Sequence, residues 1–200
     1  MMLQESEPEY SIKLLVLGDT SVGKSNYIYR FTEDKFSDNH MSTTGLDLKN
    51  ADIIIDDKKI RVQLWDTAGE EKYRSITKTL FLRVQGIITI FDITKEETFI
   101  NLKSWINSIK EECGNNMPIL IIGNKCDLTE YRVVKKETAY KYAKKEKIEY
   151  IETSSKTGEN IKNSVDIICS KVIKSLSLKN EFSFTLDSSA LIPRKKKNCC

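Results

Sequence analysis

Gly18-Asp19-Thr20-Ser21-Val22-Gly23-Lys24-Ser25 decides how the rest of this chain is read. The run fits the template of Gly, four residues, then Gly-Lys-Ser/Thr. It follows an apolar stretch, Ile12 to Leu17, that predicts a buried strand. A loop bent through glycines turns successive backbone N–H groups inward, and the helix that follows adds its positive end. Phosphate oxygens would find donors already aimed there. Lys24 is placed to reach terminal phosphates, and the Ser25 hydroxyl to ligate Mg²⁺. A chance glycine turn is the alternative, and the strand before and helix-like run after (Asn26 to Phe31) argue against it.

Working outward, strands and helices alternate. A polar stretch from Thr32 to Thr44 has no hydrophobic period. Asp47 to Ile55 and Lys59 to Trp65 are extended runs separated by Asp56-Asp57, a hairpin signal. A second polar loop, Asp66 to Lys78, precedes the continuous apolar strand Gly86 to Asp92. Glu96 to Glu111 places Phe99, Leu102, Trp105, Ile106 and Ile109 at helical spacing. Ile119 to Gly123 reads as strand, Lys135 to Lys147 as helix, Tyr150 to Glu152 as a short strand, and Asn160 to Ser175 as a last helix. Unbroken β-branched strands between helices predict an α/β fold. Its mostly parallel, doubly wound six-stranded sheet would carry helices on both faces and one antiparallel hairpin partner.

The 200 residues suit one compact domain, and 40% hydrophobic content supplies a full core. With 32 basic and 29 acidic residues the net charge is only +3, so nucleic-acid binding is not expected. No stretch approaches the length of a bilayer span, and Met1 to Tyr10 is polar and acidic, unlike a signal peptide. A soluble protein made in the cytosol is expected. Cys113, Cys126 and Cys169 lack metal-ligand spacing and read as ordinary thiols. From about Leu176, Ser, Asn and Lys accumulate toward Arg194-Lys195-Lys196-Lys197 and Cys199-Cys200. The expected organisation is a short extension over 1–9, a domain over 10–176 and a flexible tail over 177–200.

Loops after parallel strands emerge at one sheet edge, where open α/β folds bind ligands. Four further motifs fall there. Trp65-Asp66-Thr67-Ala68-Gly69 supplies a carboxylate suited to the outer shell of Mg²⁺ and a Gly N–H able to face a γ-phosphate. In Asn124-Lys125-Cys126-Asp127, the Asp127 carboxylate can accept from guanine N1–H and its amine, an edge adenine lacks. Glu152-Thr153-Ser154-Ser155-Lys156 can offer backbone N–H groups to the guanine carbonyl, and Thr43 a hydroxyl to the metal. Singly, Asp127 also reads as a turn former, Asp66 as a strand-end cap and Thr43 as a loop hydroxyl. In order, each after a strand, the motifs outweigh those readings.

On these residues the chain resembles the small GTPases of the P-loop NTPase class, and the Rab family most closely, over roughly residues 10 to 176. The Rab character rests on Thr43-Thr44-Gly45-Leu46-Asp47, Arg61 to Trp65, Tyr73-Arg74-Ser75-Ile76-Thr77, Ile90 to Thr94 and the closing Cys199-Cys200. The resemblance implies GTP and GDP bound with Mg²⁺ by Thr20, Ser21, Val22, Gly23, Lys24, Ser25 and Asn26. Phe36 would lie against the guanine ring, Thr43 and Ser25 would ligate the metal with Asp66 behind them, and Gly69 would contact the γ-phosphate. Asn124, Lys125, Asp127, Ser154, Ser155 and Lys156 would form the base pocket. Lys24, Thr43, Gly69 and the residue at position 70 would serve the chemical step.

The resemblance also implies effectors, an exchange factor and an activating protein reading residues 32–49 and 66–84 of a monomeric core. A prenylation escort and a GDP-dissociation inhibitor would handle a tail lipidated at Cys199 and Cys200. The protein would cycle between cytosol and the cytoplasmic face of an intracellular membrane, in vesicle traffic. The chain departs from the family pattern in three respects. Glu70 stands where the family has Gln, which predicts slow hydrolysis. Leu80-Phe81-Leu82-Arg83-Val84 stands where the family has Tyr-Tyr-Arg-Gly-Ala and Leu48 where it has Phe, both on the surface that partners would read, and Ser155 replaces Ala. Two other classes are weighed: a GTP-binding scaffold without useful turnover, and a P-loop kinase of small metabolites. A guanine-reading Asn124 to Asp127 would serve no purpose in the kinase.

Overall fold

The computed structural model describes residues 7–38, 46–67 and 80–188. Thr43, Gly69, Glu70, the run 73–77, Cys199 and Cys200 lie outside the described residues.

The first strand, β1 (Tyr10–Leu17), leads through the glycine-bounded loop into α1 (Lys24–Glu33). Strands β2 (Leu46–Ile55) and β3 (Lys58–Thr67) form the hairpin. Asp56 and Asp57 turn it with φ of 49° and 60°, the left-handed pair that a tight two-residue loop requires. Then follow β4 (Gly86–Asp92), α2 (Glu96–Cys113), β5 (Ile119–Asn124), α3 (Lys136–Glu146), β6 (Glu149–Thr153) and α4 (Ile161–Ser188). The strands make one sheet in the order β2-β3-β1-β4-β5-β6, antiparallel only at β2–β3. The six-stranded, mostly parallel α/β fold expected from the pattern is present.

Burial follows position in that sheet. Every residue of β4 and β5 is buried, as a parallel strand covered on both faces demands. Edge strand β2 buries Ile53 alone and carries Asp47, Lys49 and Asp52 toward solvent, which discourages pairing with another chain. On one face Ile12, Leu14 and Val16 pack with Tyr27 and Ile28 of α1 and Val165 and Ile168 of α4. On the other, Leu15, Leu17 and Ile87 meet Trp105 and Ile109 of α2, and Ile121 meets Ala139 and Ala143 of α3. Each fully buried Leu or Ile contributes about 2 kcal/mol, so these two layers fix the helices against the sheet. Cys126 and Cys169 are buried thiols and Cys113 is half-buried, in line with the expectation.

One boundary differs. The pattern predicts a last helix over Asn160 to Ser175, whereas α4 continues through Ser188. The run 176–188 contains neither Gly nor Pro and keeps apolar residues at Leu176, Leu178, Phe182, Phe184 and Leu186, so it supplies no helix stop. Among the described residues no helix is long and apolar enough to cross a membrane.

Candidate functional site

Register brings the described motif residues to one edge. Val16 lies beside Asp66, Asp92 beside Asn124, and Asn124 beside Thr153, so the carboxyl ends of β1, β3, β4, β5 and β6 converge. β1 is flanked by β3 and β4, and the loop leaving it sits where the strand order reverses.

Two glycines shape that loop. Gly18 has φ of +142° and lies so close to β4 that a Cβ would fall 2.1 Å from the Ile90 carbonyl oxygen. Gly23, at +97°, would place a Cβ 2.5 Å from Asn124 Nδ2. No other residue type fits either place without moving backbone or the Asn124 amide. Helix α1 begins directly after, so its unpaired N–H groups face the loop. Thr20 and Ser21 are exposed on the loop, and Val22 is buried beneath it.

Lys24 is 6% exposed, and its Nζ donates to the Asp19 carbonyl at 2.8 Å. Burial pushes its pKa down to about 8, while Asp66 and Asp19 pull the other way. A buried ammonium held by a neutral carbonyl is poised for an anion, which would restore its charge balance. Next to it, Ser25 Oγ donates to Asp66 Oδ2 at 2.5 Å, and Asp66 is 5% exposed. Hydroxyl and carboxylate oxygens in this arrangement suit a small hard cation such as Mg²⁺. Among the described residues no group of three His, Cys, Asp or Glu could hold a metal unaided. Oxygens of a bound phosphate would have to complete the shell.

Asn124 is 1% exposed and bonds in two directions. Its Nδ2 donates to the Val22 carbonyl at 2.9 Å. Its Oδ1 accepts from Thr153 Oγ1 (3.2 Å), Ser155 N (3.3 Å) and Ser155 Oγ (3.2 Å). One amide thus joins the phosphate loop to the loop after β6. Lys125 Nζ donates to the Ser21 carbonyl at 3.0 Å and pairs with the fully buried Asp92 at 2.6 Å. The Ser154 hydroxyl donates to Asp127 Oδ1 at 2.6 Å and accepts from Thr157 N at 3.0 Å. That fixes the Asp127 carboxylate against the loop after β6. Ser155, which departs from the family pattern, uses its extra hydroxyl on Asn124. Asn26 makes paired bonds with the Ser37 backbone at 2.9 and 3.2 Å, securing the chain beside half-buried Phe36.

Several contributors escaped the sequence reading. Arg30 donates from Nε to the Ser155 carbonyl (2.9 Å) and from Nη2 to the Lys156 carbonyl (2.8 Å), tying α1 to the loop after β6. Arg132 grips Glu152 through two bonds, 2.7 and 2.9 Å, while Tyr150 donates to it at 2.8 Å. Burial pushes the Glu152 carboxyl up, but Arg132 and Tyr150 together hold it below the usual range. No periodicity or spacing announces such pairs, since the partners of Arg30 lie 125 and 126 residues away.

A family model described as the Ras family matches residues 13–174, which contain every motif residue of this edge. The chain belongs to the Ras family. Within that family it is similar to Rab proteins. It is 37% identical over 190 residues to the Ras-related protein Rab-8 of Diplobatis ommata, covering 94% of this chain and 90% of that one. It is 38% identical over 191 residues to Rab-13 of Canis lupus familiaris, covering 95% and 94%. It is 36% identical over 176 residues to the GTP-binding protein ypt3 of Schizosaccharomyces pombe, covering 88% and 82%. The chain is thus a Ras-family protein of the Rab type, and the alternative of a metabolite kinase falls away.

Proposed function

We propose that this chain is a GTP/GDP switch that binds its nucleotide with Mg²⁺ at the edge just described, hydrolyses GTP slowly, and acts in vesicle-mediated transport. The observation that carries the reading is the Asn124 bridge between the phosphate loop and the Ser154–Ser155 loop, with Asp127 held beside it. Those bonds would hold a loop suited to cradle phosphates and a carboxylate suited to read guanine next to each other. Thr20 to Asn26 would bind the phosphates, Phe36 the ring face, and Asn124, Lys125, Asp127 and Ser154 to Lys156 the base. Ser25 and Thr43 would hold Mg²⁺ with Asp66 behind them; the ion would neutralise charge on the β- and γ-phosphates.

Ser25→Asn removes the hydroxyl that Asp66 orients, so it should weaken GTP binding about tenfold more than GDP binding. Nucleotide-release rates with and without a chelator check this. If chelation does not speed release, Ser25 and Thr43 are not metal ligands.

The chemical step is in-line attack of water on the γ-phosphorus. Lys24, Thr43 and Gly69 would stabilise the developing charge, leaving water placement to position 70. Glu70 can accept from the water, but an ionised carboxylate has no proton to donate toward the transferring group. Single-turnover GTP loss should therefore be slow, and Glu70→Gln should raise it by about tenfold or more. A Gln variant no faster than the natural chain would show that Glu70 is no handicap. The same residue favours the second reading, a GTP-binding scaffold that signals by occupancy alone, which an undetectable turnover even with cell extract would support.

Residues 32–49 and 66–84 are the proposed surface for effectors, exchange factor and activating protein, except that Leu80, Phe81 and Val84 are buried in the core against Trp105, so only Leu82 and Arg83 of the run 80–84 face outward. Exposed Leu46, Leu48 and Leu82 give it apolar contact area. An escort and a GDP-dissociation inhibitor would serve the 177–200 tail, outside the domain proposed for 10–176. Prenyl chains on Cys199 and Cys200 contribute about 0.8 kcal/mol per buried CH₂. Arg194 to Lys197 add about 1 kcal/mol each at an anionic leaflet. Changing both cysteines to Ser should move the protein to the soluble fraction and leave nucleotide binding intact. Unmodified cysteines in protein from its native cell would refute the anchor.

A further inference from the structure

Asp19 is the one carboxylate of the phosphate loop, and it sits where anionic phosphates would arrive. Both of its oxygens face away, toward α2. Asn101 Nδ2 donates to Oδ2 at 2.8 Å, and Trp105 Nε1 donates to Oδ1 at 3.2 Å. Asn101 and Trp105 stand four residues apart, so one face of the helix presents both donors. The Asp19 carbonyl, meanwhile, accepts from Lys24 Nζ. Trp105 is 5% exposed and packs in the cluster that contains Leu80, Phe81 and Val84, so its ring is fixed from several sides.

From this geometry we infer that Asn101 and Trp105 are positioning residues for nucleotide binding. They hold the Asp19 side chain away from the phosphates and thereby fix the carbonyl from which Lys24 is suspended. The inference rests on the nucleotide reading above and extends it to a helix that touches no part of the proposed ligand. Two effects act together. A released carboxylate would be free to approach the phosphate cradle and repel its occupant. The loop segment from Gly18 to Thr20 would also lose its anchor on the α2 side, and Lys24 would lose a defined perch. Hydrogen bonds to a charged group are the stronger kind, so losing one is felt.

The test is dissociation of ribose-labelled fluorescent GDP, with Mg²⁺ present, from the full chain and its variants. Asn101→Leu keeps the branched shape and removes the donor, and should speed release about tenfold. Trp105→Phe should speed it in the same direction. Asn101→Asp, facing Asp19 with a second carboxylate, should be worse, and pairing it with Asp19→Asn should restore slow release because an amide and a carboxylate again meet. In an Asp19→Ala background Asn101→Leu should have no further effect, which a merely structural role for Asn101 would not produce. Preference for GDP over ADP should stay unchanged throughout, since the base pocket is untouched. Release rates within twofold of the natural chain, or equal harm from Asn101→Leu with and without Asp19, would overturn the positioning role. Failure of the unmodified chain to bind GDP would instead overturn the nucleotide reading beneath it.

Discussion

Replacing Asp127 with Asn should lower GTP affinity by roughly a thousandfold, the cost of two bonds from a buried edge to a charged acceptor. The local geometry sharpens the expectation. Ser154 donates to Asp127 Oδ1 while its own oxygen is engaged by Thr157 N. In the variant that hydroxyl would keep the amide oxygen, leaving the NH₂ turned toward the base. Guanine N1–H and its amine would then face a donor. A xanthine base, which carries a carbonyl in place of the amine, should gain. Competitive titration with GTP and xanthosine triphosphate checks this. Undiminished GTP binding would show that Asp127 only shapes its turn.

Asn124→Ala should be the most damaging single change in stability among these motif residues. The side chain is 1% exposed and makes four bonds, so its loss strands the Val22 carbonyl and the Ser155 N–H without those partners. Each buried polar group left unpaired costs about 1–3 kcal/mol, giving about 4 kcal/mol in all. For a chain of this length that lowers the melting temperature by about 10 °C. Because the same amide joins the phosphate loop to the loop after β6, nucleotide release should accelerate by about a hundredfold even below the melting range. A variant that melts with the natural chain and holds GDP equally long would mean the two loops are independent.

Legibility in the sequence followed the range of each interaction. The run Gly18 to Ser25 announced both strand and helix because its glycines and its flanks are local signals. Continuous apolar strands such as Ile119 to Gly123 announced a covered parallel sheet for the same reason. The motifs at Asp66, Asn124 and Ser154 were found as strand-end residues, and the register does bring those ends together. What the pattern did not carry was partnership across the fold. Asn124 meets Val22 across 102 residues, Arg30 meets Ser155 across 125, and Trp105 meets Asp19 across 86. Trp105 was legible as a core residue from its helical spacing, whereas the use of its indole N–H depends on where the sheet sets α2. The end of α4 is not legible because the gathering of Ser, Asn and Lys is not itself a helix stop; a backbone breaker is, and none follows in the sequence until Pro193.

The most direct measurement of the central claim is a competitive binding titration of the unmodified chain, with Mg²⁺, using GTP and ATP against fluorescent GDP. A phosphate cradle joined to a guanine-reading Asp127 predicts that GTP displaces the probe at least about a thousandfold more effectively than ATP. Equal displacement by the two nucleotides, or no binding of GDP at all, would contradict the account.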